Sequence, residues 1–538
     1  MMPIAPALAA AIQSTTLESM NALGAHDAVV IGGGATGGMA ALLLAESGLR
    51  VLVLDAGKPL PVQLSRWHRG TCAVIRALGD PTGLRFIPPA VVPVARAALR
   101  GLRLFHQPIQ SRCRFWSLAP EMYVDDAECR YSTERNRPFA WIRARQLGGR
   151  MTVPGHGRTY LRRCPSEIAA SDQSSGNWPL APLELDPWYS LIERRLQLRG
   201  TRDGIPWLPD SELAQILAPT ANEDRLISLI RSRWPQSRPI LGRFAPPLDS
   251  LGAAAETGKI QCRPGAVVSR INVDGSGRAS GVTWIDQLSG GSEVRVSCPL
   301  VFLCASALES TRLLLLSQRS NGSPGLSPSD ALGRYLMDHT MISGWYRGPP
   351  LLATPPLEDG RGVYMPRFDA RADAAPSAKQ GFGVHLYQFS SGQTRSYIAA
   401  VSFGEMAPRP ENRVTLHPAF RDAWGLPVLH IDCHHNRADL ALGREQTEAL
   451  REIAPAIGAT LSKVDKHLSP PGLAIHECGT ARMGRTPRES VLDPNNQYWG
   501  TQGLYVTDAA SYPSQGIQNP TLTALALTAR ACHHAVSS

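Results

Sequence analysis

The sequence predicts an α/β protein: a Rossmann-type dinucleotide-binding domain joined to a second, mixed-sheet substrate-binding domain. Three observations carry that prediction. A β-branched run, Ala28-Val29-Val30-Ile31, leads straight into a glycine turn at Gly32. A second apolar run, Val51-Leu52-Val53-Leu54, ends at Asp55. Far downstream, residues 383–387 and 397–401 read as strands of a separate sheet.

The first element is a complete strand–turn–helix–strand unit. The turn reads Gly32-Gly33-Gly34-Ala35-Thr36-Gly37, so glycines stand at the three positions of G-x-G-x-x-G. The first permits the tight turn, the second lets the backbone approach a pyrophosphate, and the third lets helix and strand pack closely. Residues 39–47 are rich in Ala and Leu and form a helix that Gly48 ends. Its N-terminus offers free N–H groups and a positive dipole end to phosphates. Asp55, 18 positions after Gly37, can bind ribose hydroxyls, and its charge disfavours a 2′-phosphate. The unit binds a dinucleotide without separating FAD from NAD. Its place near the chain start favours FAD.

The C-terminal stretch is equally specific. It reads His476-Glu477-Cys478-Gly479-Thr480-Ala481-Arg482-Met483-Gly484, then Leu492-Asp493-Pro494, then Leu504-Tyr505-Val506-Thr507-Asp508-Ala509. The run at Leu504 is a short strand ending in an acid and small residues. Asn519-Pro520-Thr521 opens an Ala/Leu-rich helix, with Asn519 expected at the N-cap and Pro520 at the first helical position. That helix start would present N–H groups to an electron-rich acceptor such as a reduced flavin.

These blocks resemble the glucose–methanol–choline (GMC) oxidoreductase family, whose C-terminal pattern is H-x-x-G-T-x-x-M-G, D-P, a strand ending in D-A or D-G, then N-P-T. Further similar segments are Arg143-Ala144-Arg145-Gln146-Leu147-Gly148-Gly149, Trp178-Pro179-Leu180, Ala305-Ser306-Ala307-Leu308-Glu309-Ser310 and Gly333-Arg334-Tyr335-Leu336-Met337-Asp338-His339. The likeness is greatest to the pyranose-oxidase-like, sugar-oxidising branch. It implies a GMC fold and FAD-dependent oxidation of a CH–OH group on a sugar, aminosugar, cyclitol or glycoside. His476 would be the base, with Asn519 as its partner, donating to the substrate oxygen. The cofactor-binding set it implies is Gly32, Gly34, Ala35, Thr36, Gly37, Asp55, Ala56, Gly148, Gly149, Val268, Ala305, Asp508, Ala509, Asn519, Pro520 and Thr521. In that branch a histidine can bind the flavin covalently. Val153 stands at its position and cannot, so FAD is expected to be non-covalent.

A histidine base suits this chemistry because its pKa lies near neutrality. The histidine pairs 434–435 and 533–534 lack the acid or cysteine spacing of a metal site, and no metal is expected. The sequence assigns no chemistry to His339 and His417.

The resemblance and the strand runs place an FAD-binding domain in residues 25–60, 230–340 and 472–538. A connector and flavin lid falls in 61–150, and a substrate-binding domain in 151–229 and 341–471. Composition sets the outer limits. With 43% hydrophobic and 19% charged residues the 538-residue chain is globular, and its net charge of +10 lacks the concentrated basic patch that nucleic acid requires. Ten cysteines without a C-x-x-C pair read as reduced, buried side chains. The apolar stretch at 5–12 has no Lys or Arg before Arg50, and no run reaches the roughly 18 residues that span a bilayer. A cytoplasmic protein without a membrane span is expected, with oxygen, a quinone or an electron-transfer protein as acceptor. A redox-neutral lyase on the same FAD scaffold is the alternative, and an NAD-dependent dehydrogenase is disfavoured by the C-terminal blocks.

Overall fold

The computed structural model describes residues 5–15, 26–57, 107–156, 158–164, 168, 178–319, 325–353, 360–370, 381–391 and 395–538. The part of the expected lid from 61 to 106 lies outside them. The strands of the two main sheets are β1 (Ala28–Ile31), β2 (Val51–Asp55), β3 (Ile240–Leu241), β4 (Ile260–Pro264), β5 (Leu300–Leu303), β6 (Thr340–Gly348), β7 (Val363–Met365), β8 (Phe382–Ser391), β9 (Arg395–Gly404), β10 (Thr460–Val464) and β11 (Leu504–Val506). The helices that cover them are α1 (Pro6–Gln13), α2 (Ala35–Glu46), α3 (Asp186–Leu196), α4 (Ala221–Arg233), α5 (Ser250–Glu256), α6 (Ala307–Leu316), α7 (Arg437–Ala456) and α8 (Thr521–Ser537).

The first sheet is parallel, in the order β11-β5-β1-β2-β4. Every residue of β1 and β2 is buried, as expected of strands covered on both faces. Helix α2 carries no polar stripe. Nine of its residues are buried, because α5 and α8 pack around it. The N-terminal apolar stretch folds as α1 and buries Leu8 and Ala11 against α5 and β4. Between β4 and β5 the chain makes an antiparallel meander of residues 266–273, 279–286 and 292–296, which carries Val268.

The second sheet is antiparallel, in the order β10-β6-β9-β8-β7-β3. One face is closed by α7, whose capping box at Asn436 and Asp439 starts it firmly and whose Leu442, Leu450 and Ile453 are buried. Each such aliphatic side chain contributes roughly 1.5–3 kcal/mol on burial. Ile342, Tyr346, Val384, Leu386, Ile398 and Ala400 pack into that core. The alternate residues face the other way, towards the first sheet's functional edge.

Two segments lie elsewhere than the sequence suggested. Residues 178–198, expected in the substrate domain, pack on the first core through Trp178, Leu185, Tyr189 and Ile192, with α3 against α8. Strand β3 and helix α4, in or near the segment expected to bind FAD, join the second sheet's core instead. Both segments are amphipathic, and one apolar face does not reveal which of two cores it will meet. The nine cysteines among the described residues are buried thiols.

Candidate active site

The glycine turn sits at the C-terminal end of β1, where α2 begins. Gly32 has φ +95°, and a Cβ on Gly37 would lie 1.7 Å from the Gly32 carbonyl oxygen. The front of Gly34 is different: a Cβ there would meet nothing within 4 Å. Gly148-Gly149, both with positive φ, packs against the turn from another side, where a Cβ on Gly149 would come within 3.3 Å of Gly34 Cα. Bare backbone at a helix N-terminus, open in front of Gly34, is the geometry a pyrophosphate needs.

Asp55 closes the turn from behind. Its carboxylate accepts the Gly33 and Gly57 amides, each at 2.6 Å, and burial pushes its pKa up. It therefore fixes the loop itself, and only its remaining lone pairs are left for a ribose. Ala56 follows it, its carbonyl accepting from Gln287 at 3.2 Å. Val268 lies partly buried on the meander beside this end of the first sheet. At the next strand end, Ala305 donates its amide to Ser310, and Ser306 is held at φ +76°. The Asp508 carboxylate accepts from Ser310 and from the Ala510 amide (2.9 Å), and burial raises its pKa to about 6.

The helix start near Asn519 differs by one residue from expectation. Pro520 is the N-cap and Thr521 the first helical residue. Asn519 does not cap, because its side chain is turned to His476: the amide Nδ2 donates to Nε2 at 3.3 Å. Its carbonyl oxygen is buried without a partner. The two expected catalytic residues therefore meet, across 43 positions of sequence.

A third residue fixes what they can do. His339 Nε2 lies 2.9 Å from the Gly516 carbonyl oxygen, which can only accept. His339 must therefore carry its proton on Nε2 and leave Nδ1 as a lone pair. His476 Nδ1 stands 2.8 Å from that lone pair, so it must donate. The one remaining nitrogen, His476 Nε2, is an unprotonated acceptor aimed at Asn519. Burial holds His339 down to about pKa 3, which keeps this chain neutral, and burial, with His339 and Arg150 nearby, draws His476 well below the usual imidazole value.

The backbone of His476 is anchored as firmly as its ring. Its amide donates to Asp338 (3.0 Å), which also accepts the Gly472 and Ala474 amides. Its carbonyl accepts from Gln515 at 2.8 Å. Burial, with Glu477 adding to it, raises Asp338 to about pKa 7. Phe403 on β9 packs its ring 5.0 Å from that of His476. Glu477 turns away to Arg150 at 3.1 Å, and Arg150 reaches on to Ser306 at 3.2 Å. His339, Asp338, Gln515 and Arg150 were not assigned roles from the sequence. The one signal was the family-like segment Gly333-Arg334-Tyr335-Leu336-Met337-Asp338-His339 that carries the Asp338-His339 pair.

Val153 is fully buried among Cys113, Trp116, Met122 and Ile142. His156, three residues on, is already engaged: its Nε2 meets the Tyr123 hydroxyl at 2.7 Å. Among the described residues no three or more His, Cys, Asp or Glu are placed to hold a metal, and no helix is long and apolar enough to cross a membrane.

This class of site, a bare-backbone dinucleotide cradle beside a histidine–asparagine pair, agrees with the comparisons. Residues 27–82 match the FAD binding domain family and residues 408–528 the GMC oxidoreductase family. The two matches fall on separate parts of the chain: an FAD binding domain at the glycine turn, and a GMC oxidoreductase segment that carries His476 and Asn519. It is 30% identical over 282 residues to 2-methyl-1,2-propanediol dehydrogenase of Mycolicibacterium austroafricanum, covering 48% of this chain and 51% of that protein. It is 32% identical over 283 residues to C-glycoside 3-oxidase of Arthrobacter globiformis, covering 49% and 51%. The chain thus spans about half the length of these curated relatives. Pyridoxine 4-oxidase from Mesorbium loti shares the fold, with TM-score 0.61 at 18% identity over 94% of this chain and 98% of that one. The open front of Gly34 and the unpartnered Asn519 carbonyl both fit a bound FAD.

Proposed function

We propose that this protein oxidises a CH–OH group, on a sugar, aminosugar, cyclitol or glycoside, to the carbonyl. The observation that carries this reading is the proton arrangement Gly516–His339–His476, which leaves His476 Nε2 as a lone pair beside Asn519. A substrate hydroxyl placed between them would give its proton to His476 Nε2 while Asn519 Nδ2 donates to its oxygen. The alkoxide character that results is what releases hydride from carbon. Bound FAD supplies the two-electron acceptor.

Gly32, Gly34, Ala35, Thr36 and Gly37 would cradle its pyrophosphate, with Gly148 and Gly149 packed against the turn and Asp55 and Ala56 behind. Val268 and Ala305 would flank it, and Asp508, Ala509, Pro520 and Thr521 would line the end nearest His476. Val153 offers only an alkyl side chain and His156 is engaged by Tyr123, which supports non-covalent attachment. Acid precipitation should therefore release the flavin into the supernatant, and flavin retained in the pellet would refute this. Oxygen, a quinone or an electron-transfer protein would take the electrons onward.

The test is His476→Ala in the FAD-loaded protein under anaerobic substrate. The variant should keep the flavin band at about 450 nm and lose substrate bleaching by roughly 10²–10⁴-fold. Undiminished bleaching would remove His476 as base, and carbon–carbon cleavage without bleaching would replace oxidation by a lyase reaction.

A further inference from the structure

The face of the second sheet turned away from α7 carries more than Phe403. By strand register, Phe403 on β9 begins a series that continues along the same face through His385 and Tyr387 on β8, Trp345 on β6, and finally Tyr397 and Phe389. The rings follow one another: Phe403 to His385 is 6.0 Å, and His385 to Tyr387 is 5.9 Å with planes 3° apart. Burial falls away along the series. His385 is 3% exposed, whereas Trp345 and Phe389 are each 42% exposed and Tyr397 is 37% exposed. An aromatic ledge therefore runs from the reacting histidine out to solvent.

The wall opposite is the segment at 114–115. The Arg114 guanidinium lies 5.2 Å from the Trp345 ring and 5.8 Å from the Phe115 ring, and it makes no hydrogen bond or ion pair with any described residue. Asp465, the carboxylate that acts on it, is engaged by the Ser343 amide at 3.2 Å and by Lys463 at 3.8 Å. A guanidinium held over aromatic rings, with its donors unspent, suits a planar acidic group. Trp345, Phe389 and Tyr397 expose ring surface at the outer end of the ledge, which suits stacking of a flat aromatic group.

We propose that this ledge is an aglycone subsite: the substrate is an aryl glycoside, its sugar at His476 and its aromatic aglycone stacked over Trp345 and Tyr397 with an acidic oxygen at Arg114. This rests on the reading of the site as an oxidation centre for glycosides.

The test uses FAD-loaded protein and three probes: methyl, phenyl and 4-carboxyphenyl β-glucosides. Binding is followed by perturbation of the flavin spectrum and turnover by anaerobic bleaching. The phenyl glucoside should bind roughly tenfold more tightly than the methyl glucoside, and the carboxyphenyl glucoside roughly tenfold more again. Trp345→Ala should collapse the phenyl-to-methyl ratio towards one. Arg114→Gln should collapse only the carboxyphenyl-to-phenyl ratio. Equal binding of all three probes, no binding of any, or ratios that survive both substitutions would overturn the proposal. Aryl-selective binding without bleaching would instead keep the subsite and overturn the oxidation reading.

Discussion

At the scale of single residues, His476 is defined less by its own position than by the proton it cannot hold. Gly516 dictates the His339 tautomer, and His339 dictates that of His476. His339→Leu removes the acceptor for His476 Nδ1–H, so the ring can rotate or exchange tautomers. Turnover should fall at least about tenfold while the flavin spectrum survives, by analogy with other histidine bases that lose their orienting partner. His339→Gln keeps a side-chain carbonyl acceptor and should retain more of the rate. Equal rates in both variants would dismiss the tautomer argument. The lowered pKa of His476 has a kinetic sign as well. The base form persists above its folded pKa, so kcat/KM should stay flat as pH falls past 6.5 and decline only in more acid solution. A pH–rate profile with an acid limb at 6.5 or above would contradict this.

At the scale of elements, the glycine turn is the least negotiable piece. Gly37→Ala places a methyl group 1.7 Å from the Gly32 carbonyl oxygen, so the strand–helix junction must open. The variant should lose bound FAD and melt several degrees lower, as flavin content and thermal unfolding would show. A yellow, equally stable variant would contradict that. This turn was fully legible in the sequence because its chemistry is local: β1, the three glycines, α2 and β2 follow one another without interruption. His476 and Asn519 were legible through the resemblance of their blocks. His339 was not, because a histidine's partner 137 residues away leaves no spacing to read. The assignment of residues 178–198 failed for a related reason. Their apolar residues announce burial without saying against which core. The N-cap shift at Asn519 is the reverse case: a local capping preference gave way to a tertiary contact with His476.

At the scale of the whole molecule, buried histidines set the acid limit of stability. His156, His339 and His385 are all held down to about pKa 3, each chiefly by burial. Unfolding frees them to take up protons below about pH 6.5, so they destabilise the fold as pH falls from there towards 3, by about 1.4 kcal/mol per proton per pH unit. Asp338 (about 7) and Asp508 (about 6) act in the opposite sense, since the folded state holds their protons at pH values where the unfolded chain has released them. Between pH 4 and 6 these three histidines and the likewise lowered His476 oppose Asp338, Asp508 and the likewise raised Asp55, and stability should still fall with acid. Urea midpoints at pH 7 and pH 5 check this, and an unchanged or higher midpoint at pH 5 would refute it.

The order of strands in the first sheet has a consequence for synthesis. β1 pairs with β5, and β5 with β11, so the sheet closes only when residues 504–506 arrive. On a ribosome working at roughly 5–20 residues per second, the glycine turn waits on the order of a minute for its last strand. Strands β1, β2, β4 and β5 can pair once residue 303 is made, but the outer edge of β5 stays open until β11 arrives. Chains stalled before residue 500 should therefore remain protease-sensitive whatever FAD is added, and chaperone supply during translation should govern yield.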